Sequence, residues 1–346
     1  MTADERSSAG RRGRRVGEFE AIRLLSGLLE CGRPQGIAVG IGDDAAVLMG
    51  RRSRLVWTVD ACVQGVHFDL RWLTLEDVGW RSFQAAASDL AGMGAKPVGA
   101  LSALVLPTWV GAREVAALGR GQMEASVDLG CPVVGGNITR GAELSITTTV
   151  LGEAESVLLR SGARTGDEVW LVGDVGLAVA GLELLRASSG DRRTRRPRRA
   201  RADASAREVC LRAWRRPRAL LRRGRALASR ASAAIDVSDG LRGDAHQLAS
   251  ASGVRVVIEA PALAEALRPE LANVAELLGS SALTLALQGG EDYSLLATGD
   301  RTRRPRWARR IGRVEQGHGA VLEDPSAGRS VSLRHGFDHL LPRASR

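Results

Sequence analysis

Apolar positions along the chain switch between a helical and a strand period. From Gly17 to Glu30 they recur at helical spacing, with Phe19, Ile22, Leu25 and Leu28–Leu29 on one face, which predicts a helix. Short apolar runs at Ile37–Val39, Ala45–Leu48 and Leu55–Val59, with Gly and Asp between them, read as strands. Thr74 is an N-cap candidate for a helix running to about Gly92, and Glu76 and Asp77 sit in its first turn, where carboxylates favour the helix dipole. Val98–Leu106 reads as a strand ended by Pro107, and Ala112–Leu129 as a helix. Val133–Val134 and Leu144–Leu151 read as two more strands.

The pattern then restarts. Gly166-Asp167 is a turn, Val169–Val172 a strand and Leu177–Ala187 a helix. An Arg-rich tract interrupts the series from about Ser188. The amphipathic positions Leu211, Ala213–Trp214 and Leu220–Leu221 predict that a helix resumes at Val209. Ala233–Ile235, Val254–Ile258, Leu283–Leu287 and Tyr293–Ala297 predict strands, and Leu241–Ala251, Leu263–Leu267 and Leu271–Leu278 predict helices. The simplest architecture is mixed α/β (α+β) in two successive halves. The expected division is a loose basic tail at 1–16, an N-terminal domain at 17–153 and a C-terminal α/β domain at 154–346 with the Arg-rich insertion at about 188–208.

Composition changes this picture in one respect. The chain has 346 residues, 44% hydrophobic and 25% charged, which excludes a wholly disordered or fibrous protein. Its net charge of +10 is unevenly spread. Residues 191–225 hold 15 Arg against Asp191, Asp203 and Glu208, a local +12 that leaves −2 for the remainder. The basic character thus belongs to one segment, and nucleic-acid binding by the folded body is not expected. No run of 18 apolar residues occurs, so no membrane-spanning helix is expected. Met1 to Arg15 is basic but lacks an apolar stretch after it, so it does not read as a secretory signal, and a cytoplasmic protein is expected. Cys31, Cys62, Cys131 and Cys210 form no CxxC pair, which argues against a zinc site or dithiol motif.

The chemistry lies in carboxylates set beside small residues. They occur in Gly42-Asp43-Asp44, Thr58-Val59-Asp60, Ser88-Asp89-Leu90, Asp236-Val237-Ser238-Asp239-Gly240 and Gly289-Gly290-Glu291-Asp292. Each alone is an ordinary turn signal. Together they offer hard oxygen donors of the kind Mg²⁺ takes, several within apolar stretches where an unpaired carboxylate would be costly. Gly40-Ile41-Gly42-Asp43-Asp44-Ala45 mimics the dinucleotide fingerprint, with Asp60 at the distance of a ribose carboxylate. That fingerprint needs a helix after the glycines, and here Gly50-Arg51-Arg52 and another strand follow. A P-loop, HExxH and GxSxG are all missing from the sequence. If phosphates are bound, metal ions and Arg must neutralise them.

The motifs together resemble the thiamine-monophosphate kinase family, of the superfamily that includes aminoimidazole ribonucleotide synthetase and selenophosphate synthetase. The resemblance runs from Gly17-Glu18-Phe19 to Gly336-Phe337-Asp338-His339. Between them lie Val66-His67-Phe68, Ser88-Asp89-Leu90-Ala91-Gly92, Gly135-Gly136, Arg160-Ser161-Gly162, Asp236-Val237-Ser238-Asp239-Gly240 and Gly289-Gly290-Glu291-Asp292-Tyr293. It implies a two-domain synthetase-like fold, with an N-terminal sheet domain that forms a homodimer and a site between the halves. It implies ATP-dependent phosphorylation of thiamine monophosphate to thiamine diphosphate with several Mg²⁺ ions. Carried over by motif, Asp44, Thr58, Asp60, Asp89, Asp236 and Asp239 are the expected metal set. Gly136, Asn137, Arg160 and Ser238 are the expected ATP contacts, and His67, Glu291 and Phe337 the expected substrate contacts. No residue is expected as a catalytic base, because the nucleophile is an already ionised phosphate oxygen.

Two departures stand out beside the insertion. The family pattern Gly-Gly-Asp reads Gly135-Gly136-Asn137 here, which keeps an oxygen donor but loses a charge. The middle position of Thr58-Val59-Asp60, usually a hydroxyl residue, is Val. The first departure leaves an alternative, a catalytically weakened paralogue that binds nucleotide or thiamine phosphate as a sensor. Polyanion binding through the Arg tract is a further alternative.

Overall fold

Two sheets, one from each half of the sequence, flank a single long helix. The computed structural model describes residues 37–39, 43–49, 53–188 and 203–333. The predicted helix at 17–30, the basic tail, Phe337 and most of the Arg-rich insertion lie outside the described residues.

The first sheet has the order β1 (Ile37–Val39), β2 (Ala46–Met49), β3 (Arg54–Val63), β6 (Ser145–Ala154), β4 (Lys96–Leu106) and β5 (Val133–Arg140). Its pairs are antiparallel except β4–β5, which are parallel and joined through helix α2 (Ala112–Leu129). Helix α1 (Leu75–Gly92) packs on β3 and β6 and along α2. Thr74 and Asp77 close a reciprocal capping box at its start, as the sequence predicts.

The second sheet has the order β13 (Arg329–Leu333), β12 (Gly319–Asp324), β9 (Arg255–Glu259), β11 (Arg309–Glu315), β7 (Glu168–Val172), β10 (Ser294–Gly299) and β8 (Ala233–Val237). Strand alternation divides its residues between two cores. Val169, Leu171, Ile235 and Leu296 face a core built with helices α3 (Leu177–Ser188), α4 (Ala204–Arg215), α6 (Leu241–Ser252), α7 (Ala260–Ala266), α8 (Pro269–Leu277) and α9 (Ala282–Gln288). Trp170, Val172, Ala234, Leu295 and Ala297 face the other way, onto α1 residues Phe83 and Leu90 and onto helix α5 (Leu221–Leu227). A third core under the far end of α1 joins Phe68, Val78, Leu118, Ile146 and Trp214. Each core encloses one unpaired cysteine: Cys210 in the first, Cys131 in the second, Cys62 in the third.

Two expectations are corrected. Leu283–Leu287 is helical within α9, not a strand; Ser281 caps the helix by accepting from the Thr284 N–H at 3.1 Å, and a short apolar run fits either state. The helix expected from Val209 through Leu221 is two helices: it begins earlier, at Ala204, inside the stretch assigned to the insertion, and breaks before Pro217, whose ring cannot continue it. The break is itself anchored. The Trp80 indole donates to the Pro217 carbonyl at 2.6 Å, Gln84 accepts from the Ala219 N–H at 2.8 Å, and Arg216 pairs with Asp77 at 2.8 Å and Glu124 at 2.5 Å. The stretch 216–219 is thereby fastened along α1.

Candidate active site

The period-two rule decides which carboxylates meet. On β3 it turns Val56, Thr58 and Cys62 inward and Trp57, Val59 and Ala61 outward. On β8 it turns Asp236 to the same side as Ala234, toward α1. The helix answers from its last two turns. Asp89 accepts a hydrogen bond from the Thr58 hydroxyl, and Ser88 donates to Asp236 Oδ2 at 2.7 Å. Gly92 closes the group: a Cβ there would lie 2.5 Å from Asp44 Oδ2 and 3.1 Å from the Asp236 nitrogen. Val59, the departure from the family pattern, is 62% exposed on the outward face, so its missing hydroxyl takes nothing from this cluster.

Arg160 binds the near side of the cluster. Its guanidinium forms an ion pair with Asp44, and its backbone N–H donates to Asp43 Oδ2 at 3.2 Å. One cation does not balance the charge. Burial pushes Asp44 up to about 7 despite Arg160, with Asp236 adding to the shift. Burial pushes Asp60 up to about 7, and the charge of Glu291 adds to it. Burial raises Asp89 as well, reinforced by Asp236, Asp44 and Asp60. Asp236 rises to about 6 through burial, and Asp239 and Asp60 contribute. These shifts describe a desolvated, mutually repelling set of anions. Asp44 Oδ2 is buried without a hydrogen-bond partner, an orphan that a hard cation would satisfy.

The loop before β10 supplies the other wall. Glu291 and Tyr293 both hold left-handed backbone, with φ of 68° and 49°, a conformation that costs energy outside glycine. Their N–H groups donate to the Ser238 and Val237 carbonyls at 2.7 and 2.9 Å. Asp292 between them accepts from the Gly176 N–H at 2.6 Å and the Ala178 N–H at 3.1 Å, closing the start of α3. His67 Nδ1 accepts from the Val63 N–H at 3.1 Å, which leaves the neutral ring's proton on Nε2.

The fold therefore brings Asp44, Thr58, Asp60, Asp89, Asp236, Asp239 and Arg160 into one electrostatic unit, with Glu291 beside it. Gly136 and Asn137 stand elsewhere, on the edge strand β5, every residue of which is exposed. Among the described residues no three His, Cys, Asp or Glu side chains enclose a single ion by themselves. Two participants have no sequence signal. Asp244, in the first turn of α6, is 3% exposed, has an unpartnered Oδ2 and feels Asp239 and Asp236. Arg81, 2% exposed on α1, forms an ion pair with Glu291 at 2.6 Å.

The chain is similar to known proteins in sequence and fold. The family described as AIR synthase related protein matches with its N-terminal domain over residues 42–154 and its C-terminal domain over residues 164–324. A thiamine-monophosphate kinase of Aquifex aeolicus is 34% identical over 314 residues, covering 89% of this chain and 94% of its own. One of Corynebacterium glutamicum is 35% identical over 293 residues, 82% of each chain. The solved structure described as AaThiL complexed with AMPPCP and TMP superposes with a TM-score of 0.81 at 33% identity, covering 93% of this chain and 97% of that one. Identity at this level over nearly the whole of both chains settles the kinship: the protein belongs to the thiamine-monophosphate kinase family.

Proposed function

We propose that the protein transfers the γ-phosphoryl group of ATP directly to the phosphate of thiamine monophosphate, giving thiamine diphosphate. The observation that carries this reading is the carboxylate cluster around the end of α1, in a chain of this kinship. Both reactants are polyanions. Their approach needs positive charge fixed between them, and phosphoryl transfer depends mostly on positioning and electrostatics.

Mg²⁺ fits the donor set: hard carboxylate oxygens, a hydroxyl and an orphaned Asp44 Oδ2. Asp44, Thr58, Asp60, Asp89, Asp236 and Asp239 would hold it. When bound, Mg²⁺ neutralises the phosphate charge and aligns the donor and acceptor groups. The chain's own residues do the rest. Ser88 and Thr58 fix the Asp236 and Asp89 carboxylates by hydrogen bonds. Arg160, held at Asp43 and Asp44, offers a guanidinium to the nucleotide phosphates, and Ser238 adds a hydroxyl; Gly136 and Asn137, on the exposed edge strand, are assigned no contact there. Glu291 presents an anion to the cationic thiazolium ring, and His67 stands as a polar contact for the same substrate. No side chain need act as base, since the attacking phosphate oxygen is already ionised.

The test is thiamine diphosphate formation by the purified protein from thiamine monophosphate and ATP. Product is expected with Mg²⁺ and none after chelation; binding of either substrate without turnover would instead favour the sensor alternative.

The outward face of the first sheet bears on assembly. Trp57 is 49% exposed, Val59 62% and Leu101 45%, an apolar surface of the kind a partner covers. A second copy of the chain is the partner we assign, making a homodimer. Sedimentation velocity is expected to give twice the chain mass, and a monomer at micromolar concentration would refute it. Among the described residues no helix is long and apolar enough to cross a membrane. ATP as co-substrate and the three unpaired thiols among the described residues fit a cytoplasmic enzyme.

A further inference from the structure

Glu291 is held by more than its own loop. Arg81 Nη2 and the Tyr293 hydroxyl both donate to its Oε2, each at 2.6 Å, and neither bond uses Oε1. We infer that Arg81 and Tyr293 are positioning residues: they fix one oxygen of Glu291 so that the other is presented to the cationic thiazolium ring of thiamine monophosphate. The inference rests on the function proposed above.

The asymmetry of the pair carries the argument. The Arg81 side chain is 2% exposed, whereas that of Glu291 keeps 27%. An ion pair serving only the core would bury both partners and engage both oxygens in the two-pronged fit that guanidinium and carboxylate favour. Here the cation is sunk behind the anion, and the anion opens outward beside the carboxylate cluster, close enough for its charge to act on Asp60. The cation is itself immobilised. Its guanidinium lies over the Trp214 ring at 4.2 Å and donates through Nη1 to the Trp214 carbonyl. Trp214 is buried in the third core, two residues before the stretch fastened along α1, so the orientation of Glu291 is set by that anchorage as well as by its loop. Tyr293 is 6% exposed, and its left-handed backbone turns the ring back beneath Glu291.

Steady-state kinetics with both substrates varied test this, using wild type, Tyr293→Phe, Arg81→Lys, Glu291→Gln and the Tyr293→Phe/Glu291→Gln double variant. Tyr293→Phe removes one oxygen atom and keeps the packing. It is expected to raise KM for thiamine monophosphate about tenfold, the value of a hydrogen bond to a charged group, with KM for ATP and kcat changed less than about threefold. Arg81→Lys, if it folds, should shift the same constant further, because a lysine cannot reproduce the fork. In the Glu291→Gln background, Tyr293→Phe should add less than about twofold, since its effect passes through Glu291. An unchanged KM for thiamine monophosphate in a folded Tyr293→Phe protein overturns the inference, as do equal shifts in both KM values or effects that multiply in the double variant. A wild-type protein that fails to phosphorylate thiamine monophosphate overturns the proposed function itself, a result distinct from active wild type with indifferent variants.

Discussion

Asp236→Asn is expected to lower turnover about 10²–10³-fold while the protein stays folded, the scale of losing one fixed charge in an electrostatic site. Asparagine has nearly the same shape as aspartate and keeps an oxygen to accept from Ser88, which now donates at 2.7 Å. What disappears is the negative charge, at a residue only 3% exposed and surrounded by Asp239, Asp60 and Arg160. Stability should move in the opposite direction. Asp236 in the metal-free protein is a buried anion among anions, so neutralising it relieves repulsion. The thermal midpoint without Mg²⁺ should therefore hold or rise while activity collapses. Turnover at the wild-type rate in saturating Mg²⁺ would remove Asp236 from the reaction. A lower midpoint would show that its charge serves the fold.

Gly92→Ala should be nearly as damaging, for a steric reason. The added carbon would sit 2.5 Å from Asp44 Oδ2, closer than real contacts allow, and 3.1 Å from the Asp236 nitrogen, a tight contact. Alanine is the better helix former by about 0.8–1 kcal/mol, but overpacking of this kind costs about 1–3 kcal/mol, so the net effect is destabilising. Relief requires the Asp44 carboxylate to move, and a displacement of about 1 Å at a reacting site can cost about 10²-fold in rate. Gly119 is the control, since its Cβ position in α2 meets no atom within 4 Å. Gly119→Ala should leave activity unchanged and raise stability slightly. Equal behaviour of the two variants would refute the steric account.

Much of this site was readable before the fold was known. The N-cap Thr74 with the acidic first turn gives α1, and apolar spacing gives α2, each with almost its observed limits. Alternation on β3 places Thr58 on the side of Val56, which is why two polar residues in a strand can share a buried site. Other features depend on contacts no local pattern encodes. Strands β11 to β13 carry many charged residues: Arg310 and Arg313 pair with Glu259, and Arg313 also with Glu323, so their polarity hides a strand pattern. Arg81 sits in a helix buried on nearly every side, and only the tertiary fold reveals that its partner is Glu291. Asp244 looks like an ordinary first-turn acid, and its deep burial comes from neighbours distant in sequence.

One consequence follows from the three cores. Each encloses a single unpaired thiol, and burial raises the pKa of Cys62, Cys131 and Cys210 alike, so none is reactive while its surroundings are closed. The sulfur atoms are thus natural clocks. The rate at which an alkylating reagent captures each one reports how often that part of the molecule opens. Mass spectrometry of the labelled peptides would rank the three regions by opening frequency without any engineered probe. Substrate addition would then show which region ligand binding quiets.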